Sequence, residues 1–461
     1  MKILLVKPYN KSDHIQPSLG LGYLATAVRE GNEVTILDCI KERMGPEKLA
    51  EYVKKHRPDL VGLQCYTFDL DFIRVSLSMI KRDMPEIITV VGGPHPSAMP
   101  EKMFSAFKGH LDFLFVGEAE RGFRMLVEDL AGGEKGHKDI PGLVWRDGPR
   151  VVVNERIFTD DLDKLGMPAW DLIKPEEYPE SQHGAFFKQF PIAPIMVTRG
   201  CPYPCAFCAG GVVAGKKVRR RSVGNVIAEI LMLNKDRGIK EFHIVDDNFT
   251  SDREYAKALL RRLKDLELGM TWAVPNGVRM ETLDRELVEL MKETGLYMVS
   301  LGIESGSDHV LRLMKKGTTV SRIRECVQLI RGCGMDVSGF FILGYPGETM
   351  ETIKQTIDLS TSLGLSRANY FTYLPFPGSD SYRELEERGE LDTVNWERLY
   401  FMNAPYVPKG LSRKGLKKMH RLAFARFYLR PGIIIYHIRS IKSLRHFYFL
   451  LRRFFNWIVF S

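Results

Sequence analysis

The sequence predicts an α/β chain with two successive, mainly parallel sheets. The first is doubly wound and the second is a partial (β/α)6 barrel of the TIM type. A basic, mainly helical tail follows. Three observations predict this. Short continuous apolar runs alternate with helix-period segments, the pattern of strands buried on both faces by crossover helices. The alternation pauses and then starts afresh near residue 191. From about residue 401 the composition turns basic and aromatic. The boundaries that follow are 1–135, a linker with a hairpin over 136–190, a barrel over 191–400, and a tail over 401–461.

In the first region the strand runs are KILLV, VTILD, LVGLQ, ITVVGG and FLFVG, with helical patterns over Tyr23–Arg29, Pro46–Lys55, Phe72–Arg82 and Gly122–Leu130. Ligands in open sheets of this kind lie outside the carboxyl ends of the strands. Those ends are rich in glycine, proline and small polar residues here: QCYT, GGPHPS and GEAE. Glycine lets backbone approach a ligand closely, and turn chemistry alone accounts for such residues as readily. In the linker, GLVWRDG and RVVVNE suggest a hairpin around Asp147-Gly148. MPAWDL has neither period and reads as an extended connector.

The second series runs IMVTRG, FHIVDD, MTWAVP, YMVSLGIE, VSGFFILG and NYFTYLP, with helical patterns such as Val223–Leu233, Asp252–Leu266, Asp284–Glu293 and Val320–Cys333. In such a barrel the strand carboxyl ends build the active site.

Composition narrows the class. The chain has 461 residues, 44% of them hydrophobic and 27% charged, which describes a multi-domain globular protein. An odd count of seven scattered cysteines does not suit a secreted disulfide scaffold. No signal peptide or spanning segment is read, so a cytoplasmic location is expected. The net charge is +9, yet residues 411–461 hold 12 of the 66 Lys/Arg and none of the 57 Asp/Glu, which leaves the body at 54 − 57 = −3. General nucleic-acid binding is not expected from a near-neutral body. Two readings of the tail stand side by side: a basic amphipathic helix on an anionic membrane surface, or a helix packed on the barrel with its charges solvated.

The stretch RGCPYPCAFCAGG places Cys201, Cys205 and Cys208 in C-x3-C-x2-C spacing after a barrel strand. Thiolates suit iron–sulfur clusters, zinc or copper(I). Cubane clusters usually take four cysteines, so three would leave one iron open to a small molecule. Zinc would need a fourth ligand, and His183 or His243 are the candidates, neither at finger-like spacing. Cys326 and Cys333 fall in a helical pattern and read as core thiols.

This spacing after the first strand of a partial barrel resembles the radical S-adenosylmethionine (SAM) enzymes. The resemblance implies that Cys201, Cys205 and Cys208 hold a [4Fe–4S] cluster and that SAM chelates its fourth iron. One electron from the cluster would cleave SAM to a 5′-deoxyadenosyl radical. The other landmarks follow in order. Phe207 precedes the third cysteine. Ala209, Gly210 and Gly211 resemble the segment that receives the methionine amino group. Asn276 and Arg279 lie in NGVR, Glu304 and Ser305 in GIESGS, and Leu343 and Gly344 in the segment that flanks adenine; all are expected at SAM.

The first region resembles the cobalamin-binding, Rossmann-like domain fused ahead of such barrels. By that resemblance Leu19, Gly20, Tyr66, Thr67, Gly92, Gly93, His95, Gly117 and Glu118 are expected at cobalamin. One departure stands out. Where cobalamin domains carry D-x-H-x-x-G, this chain continues VTILD with CIKERMG and has no histidine. The lower cobalt ligand is therefore open, and His95 is its visible candidate, with a turn histidine bonded to backbone as the alternative.

The implied function is cobalamin-dependent methylation of an unactivated carbon in a small molecule, with a lipid or isoprenoid as one option and flavodoxin or ferredoxin as electron donor. The alternatives are an oxidative cyclase of the same domain order, or a rearrangement without methyl transfer, and a non-catalytic iron–sulfur redox protein. A methylthiotransferase is disfavoured, since that class has three further N-terminal cysteines and this region offers only Cys39 and Cys65.

Overall fold

The computed structural model of the chain describes all residues except 11–14, 133–135, 181–186, 395, 397–398, 440, 442, 445–446, 449–450 and 452–461. The chain divides into two compact units. The N-terminal unit holds Met1–Pro179, Arg199–Cys201 and Ala209–Asn225; the C-terminal unit holds Glu180–Thr198, Pro202–Cys208 and Val226–Ser461.

The N-terminal unit begins β1 (Lys2–Lys7), α1 (Leu19–Val28), β2 (Glu33–Asp38), α2 (Pro46–His56), β3 (Leu60–Gln64) and α3 (Leu70–Asp83). It continues β4 (Ile88–Gly92), α4 (Pro94–Ala98), α5 (Pro100–Ala106), β5 (Phe113–Phe115), α6 (Glu120–Gly132), β6 (Leu143–Asp147), β7 (Arg150–Val153) and α7 (Trp170–Ile173). These strands form one sheet in the order β2-β1-β3-β4-β5-β6-β7, parallel up to β5 and antiparallel beyond it. Successive side chains of a strand point to opposite faces. Leu4 and Val6 accordingly enter one core, with Leu49 and Val53 of α2 and Ile73, Leu77 and Ile80 of α3. Ile3 and Leu5 enter the other, with Leu21 and Ala25 of α1 and Phe123 and Leu126 of α6. The order reverses between β1 and β3, so the segments leaving these two strands meet at the switch point, where such sheets take ligands. Ser18 Oγ donates to Gln64 Oε1 at 2.6 Å, and Asn10 Nδ2 to Asp69 Oδ1 at 3.0 Å, tying these segments together.

The expected hairpin around Asp147-Gly148 forms as β6 and β7, and because β6 also pairs with β5 it extends the first sheet. MPAWDL is not extended throughout: Trp170–Ile173 forms one helical turn, with both ends buried. A four-residue helix is too short to show a period. GGPHPS likewise is not a plain turn, since Pro94 opens the short helix α4.

The cysteine region contains β9 (Thr198–Arg199), α8 (Gly211–Ala214) and β10 (Arg219–Arg220), in chain order after β8 (Ile192–Ile195). Then follow α9 (Val223–Arg237), β11 (Glu241–Ile244), α10 (Arg253–Lys264), β12 (Thr271–Ala273), α11 (Arg285–Glu293), β13 (Met298–Glu304) and α12 (Asp308–Leu313). The last elements are α13 (Val320–Gly332), β14 (Asp336–Leu343), α14 (Met350–Ser362), β15 (Arg367–Thr372), α15 (Asp380–Glu387), α16 (Arg413–Tyr428) and α17 (Pro431–Arg439).

In the C-terminal unit, β8, β11 and β12 form one parallel sheet and β13, β14 and β15 another. Parallel bridges Trp272–Leu296 and Val278–Leu301 continue one into the other. The six strands thus form a single open series from β8 to β15, a partial barrel. The first strand lies earlier than IMVTRG suggested, over Ile192–Ile195. It passes through Pro194, a residue that argues against a central strand. At the edge of the series, paired only with β11, a missing N–H on the open side costs nothing.

The described part of the tail supports the packing reading for α16. His420 Nε2 lies 3.0 Å from the Tyr370 carbonyl, Tyr428 OH donates to the Ala368 carbonyl at 2.7 Å, and Phe427 is fully buried. Most of the basic run beyond Arg439 lies outside the described residues. Among the described residues no helix is long and apolar enough to cross a membrane.

Candidate active site

In the C-terminal unit the approach to the cysteine loop is fixed by one carboxylate. Asp246, just past β11, accepts from the backbone N–H groups of Val197 and Thr198 at 2.8 and 2.7 Å and from the Thr198 hydroxyl at 2.8 Å. Burial pushes its pKa up to about 7 despite these bonds. Within the loop, Ala206 is held on both sides, its N–H donating to the Met314 carbonyl and its carbonyl accepting from Ser381, each at 2.9 Å. The Cys208 N–H donates to the Cys205 carbonyl at 3.1 Å, and Phe207 packs against a buried cluster that includes Met314, Tyr345 and Tyr373.

Two buried cations stand beside this loop. Arg279 donates from Nη1 to Cys205 Sγ at 3.3 Å and stacks on the Tyr203 ring at 3.8 Å. Lys316 pairs with Glu304 at 2.8 Å and lies 5.7 Å from the centre of the Phe207 ring. Burial alone would lower the Lys316 pKa, but the charges of Glu304 and Cys205 outweigh it and the pKa is raised. Glu304 has φ of 66°, a left-handed conformation that non-glycine residues rarely hold. Gly302 makes room for the pair: a Cβ there would stand 2.6 Å from Glu304 Oε1 and 2.7 Å from Lys316 Nζ.

The other barrel residues fall into place differently. Asn276 turns its amide N–H onto the Val245 carbonyl at 2.7 Å. The Ser305 side chain is buried against Thr356 at 3.2 Å, facing α14. Leu343 ends β14 in the core. The Gly344 N–H is already taken by Glu348, whose carboxylate also accepts from Tyr345 and is pushed up to about 8 by burial.

In the N-terminal unit, the carboxyl edge of the sheet forms a backbone cradle. Gly93 has φ of 120°, and a Cβ on it would come within 2.9 Å of the Cys65 carbonyl oxygen. Gly92 is the last residue of β4. Ser97 Oγ accepts from the Gly117 N–H at 2.9 Å and donates to the Gly93 carbonyl at 2.7 Å, joining two of the glycine turns. Tyr66 and Phe68 are exposed and stack on each other, centroids 5.4 Å apart. Leu19 and Gly20 open α1, and a Cβ on Gly20 would meet nothing within 4 Å. His95 Nδ1 bonds the Thr67 hydroxyl at 3.1 Å, a side chain and not backbone, and burial lowers its pKa to about 4, so the ring is neutral. Asp38, the aspartate of VTILD, meets no histidine among the described residues. It is buried between Lys7 at 3.0 Å and Tyr178 at 2.8 Å, with Ile40 buried two residues on.

Glu118, expected at a ligand, has both carboxylate oxygens bound by Arg219, at 2.7 Å each, with Arg199 3.4 Å away. Arg199 donates to Glu120 at 2.6 Å. Arg219 also donates to the carbonyls of Thr159 and Ala214 at 3.0 and 2.6 Å. All four charges are nearly inaccessible. The flanks of the cysteine loop, Arg199 before it and Arg219 after it, are thus clasped to the acidic turn after β5. Alongside, the Cys201 N–H bonds the Gly215 carbonyl at 3.3 Å, and α8, which Gly211 opens after Ala209 and Gly210, packs against α4.

Sequence reasoning missed Lys316, Asp246, Arg199 and Arg219. Lys316 sits in a Lys-Lys pair that reads as a solvated face, and the clasp joins residues 79 and 101 positions apart.

The residues fit an iron–sulfur cluster. All three loop cysteines are free of disulfides and none is buried. Thiolates are the right donors, and Arg279 supplies a buried positive charge at one of them. Among the described residues no three His, Cys, Asp or Glu side chains are placed to hold a single metal ion. A cluster does not need that, since its sulfur ligands sit on different irons. Of the two zinc candidates, His243 is buried on Glu241 at 2.8 Å; His183 lies outside the described residues. Cys326 is a buried thiol of α13, while Cys333 caps that helix and is half-buried. The glycine turns of the first sheet lie at the carboxyl ends of its strands, beside the switch point where sheets of this kind take ligands.

Two family profiles match the chain: the radical SAM superfamily over residues 195–360 and the B12 binding domain over residues 9–127. An uncharacterised methyltransferase of Pyrococcus horikoshii is 31% identical over 466 residues, covering 97% of this chain and 99% of that protein. Cytidylyl-2-hydroxyethylphosphonate methyltransferase of Streptomyces wedmorensis is 32% identical over 434 residues, covering 83% of this chain and 80% of its own length. Among solved structures, the radical SAM methyltransferase TsrM of Kitasatospora setae, with cobalamin and a [4Fe–4S] cluster bound, shares the fold at a TM-score of 0.68 and 23% identity, covering 84% of this chain and 75% of that one.

Proposed function

Since the chain belongs to the cobalamin-dependent radical SAM methyltransferase family, we propose that it methylates an unactivated carbon of a small-molecule substrate. What supports this reading is Arg279 on Cys205, within the C-x3-C-x2-C stretch, in a chain that also matches the B12 binding domain. The bound cofactors supply the electron, the 5′-deoxyadenosyl radical and the methyl group, and the protein supplies placement and exclusion of water. Cys201, Cys205 and Cys208 would hold the cluster. Phe207, Ala209–Gly211, Asn276, Glu304 and Leu343–Gly344 would border SAM. The cradle of Gly92, Gly93 and Gly117, with Tyr66, Thr67, Leu19 and Gly20, would seat cobalamin. His95 is spent on Thr67 through one ring nitrogen and is neutral, so its other nitrogen is the candidate for cobalt. The electron would come from a low-potential donor of the flavodoxin or ferredoxin type.

The product test uses SAM labelled on its methyl group, with candidate substrates and a reductant. Label in a carbon-methylated product is expected. Deoxyadenosine made with no label transferred would replace this reading by a cyclase or rearrangement.

Exposed Leu429, Ile435 and Ile438 beside the basic run favour a second proposal, that the tail touches an anionic membrane surface. The full chain should sediment with vesicles containing about 30% anionic lipid and lose that property in 1 M salt, where screening reaches roughly 3 Å. Equal sedimentation of a chain ending at Arg430 would reject it.

A further inference from the structure

We propose that Arg279 is a positioning and tuning residue for the iron–sulfur cluster, holding the Cys205 thiolate and raising the reduction potential of the cluster; this rests on the reading that the three cysteines carry one. The resemblance alone had placed Arg279 at SAM. The geometry points elsewhere. Each of the three guanidinium nitrogens has a partner within the C-terminal unit. Nε faces Glu281 at 3.1 Å, Nη1 faces Cys205 Sγ at 3.3 Å, and Nη2 donates to the Lys316 carbonyl. Its face lies on Tyr203 at 3.8 Å, and the side chain is only 9% exposed. Held at four points, three through its nitrogens and one through its face, the guanidinium is committed to the cysteine loop and its surroundings.

A donor aimed at a ligating sulfur withdraws charge from it, and hydrogen bonds to sulfurs and nearby net charge are what set cluster potentials. The reduced cluster carries one more negative charge than the oxidised one. A buried cation at the sulfur therefore stabilises the reduced state and makes the potential less negative. Low dielectric strengthens the effect. Lys316 adds a second cation, but Glu304 neutralises it at 2.8 Å. Glu281 offsets Arg279 only in part, being more exposed than its partner. Arginine suits the task because its planar fork serves the sulfur, the carbonyl and the carboxylate together, which a lysine ammonium cannot.

The sign of the effect is testable from both sides. The full chain, reconstituted anaerobically, is titrated with reductant while the reduced cluster is followed by electron paramagnetic resonance. Arg279→Met should move the midpoint potential to more negative values with iron and sulfide content unchanged, and Arg279→Lys should fall between it and the wild type. Glu281→Gln, which removes the counter-charge, should move it to less negative values. Unmoved potentials in Arg279→Met and Glu281→Gln with full clusters would overturn the proposal. If Arg279→Met fails to retain a cluster, Glu281→Gln decides: a less negative potential supports the proposal and an unchanged one overturns it. A wild-type chain that forms no cluster would instead overturn the reading on which the proposal rests.

Discussion

Replacing any one of Cys201, Cys205 or Cys208 by alanine should abolish formation of 5′-deoxyadenosine from SAM, whereas Cys326→Ala and Cys333→Ala should leave it intact. The two groups differ in surroundings. The loop thiols form no disulfide and none is buried, and one of them lies under a guanidinium. Cys326 is buried among helix α13 residues, and burial pushes its thiol up to about 12, so it is an inert apolar thiol. Its loss should cost roughly 1 kcal/mol of stability as a small cavity. Cys333 is half-buried at the end of the same helix. The check is deoxyadenosine measured by chromatography after incubation with dithionite and SAM, beside iron content. Cleavage that survives in a loop variant would sink the assignment, as would its loss in Cys333→Ala with the fold intact.

The second large effect lies in the N-terminal unit. Glu118→Gln should destabilise the chain by about 3–5 kcal/mol, because it leaves Arg219 buried without its counter-charge. Both partners are nearly inaccessible, so solvent screening gives little relief. Arg199 keeps Glu120, and burial of that glutamate, which alone would raise its pKa, is outweighed by Arg199, which holds it below the usual range. The folded value thus lies below the unfolded one. This part of the clasp contributes above pH of about 4.3 and is lost as pH falls through the folded value. Urea denaturation at pH 7 followed by circular dichroism checks the first claim; a loss under about 1 kcal/mol, the range of exposed pairs, would reduce the clasp to a surface feature. Holding both flanks of the cysteine loop also gives the clasp a functional consequence: Glu118→Gln should lower the iron retained per chain.

Much of this was legible in the sequence, for identifiable reasons. The strands of the first sheet read directly because parallel strands between two helical layers are apolar on both faces, as Ile3 to Val6 are. Helices such as Arg285–Glu293, capped by Asp284, show both a period and a start signal. The cysteine spacing is local and survives in one short string. What was not legible is non-local. Pro194 masks an edge strand whose tolerance depends on its neighbour in space. Trp170–Ile173 is fixed by burial, not by period. Glu118 and Arg279 carry motif positions whose partners lie far along the chain, and only the fold shows that their charges are already committed. The division of the chain is of the same kind: Arg199–Cys201 and Ala209–Asn225 belong to the N-terminal unit, against any single boundary along the sequence.

The most direct test is the cofactor content of the full chain purified without oxygen. Iron, sulfide and cobalamin are measured per chain together with the visible spectrum. The expected result is about four irons, about four sulfides and one cobalamin per chain. A chain that carries zinc in place of iron, or that binds no cobalamin when it is supplied, would contradict it.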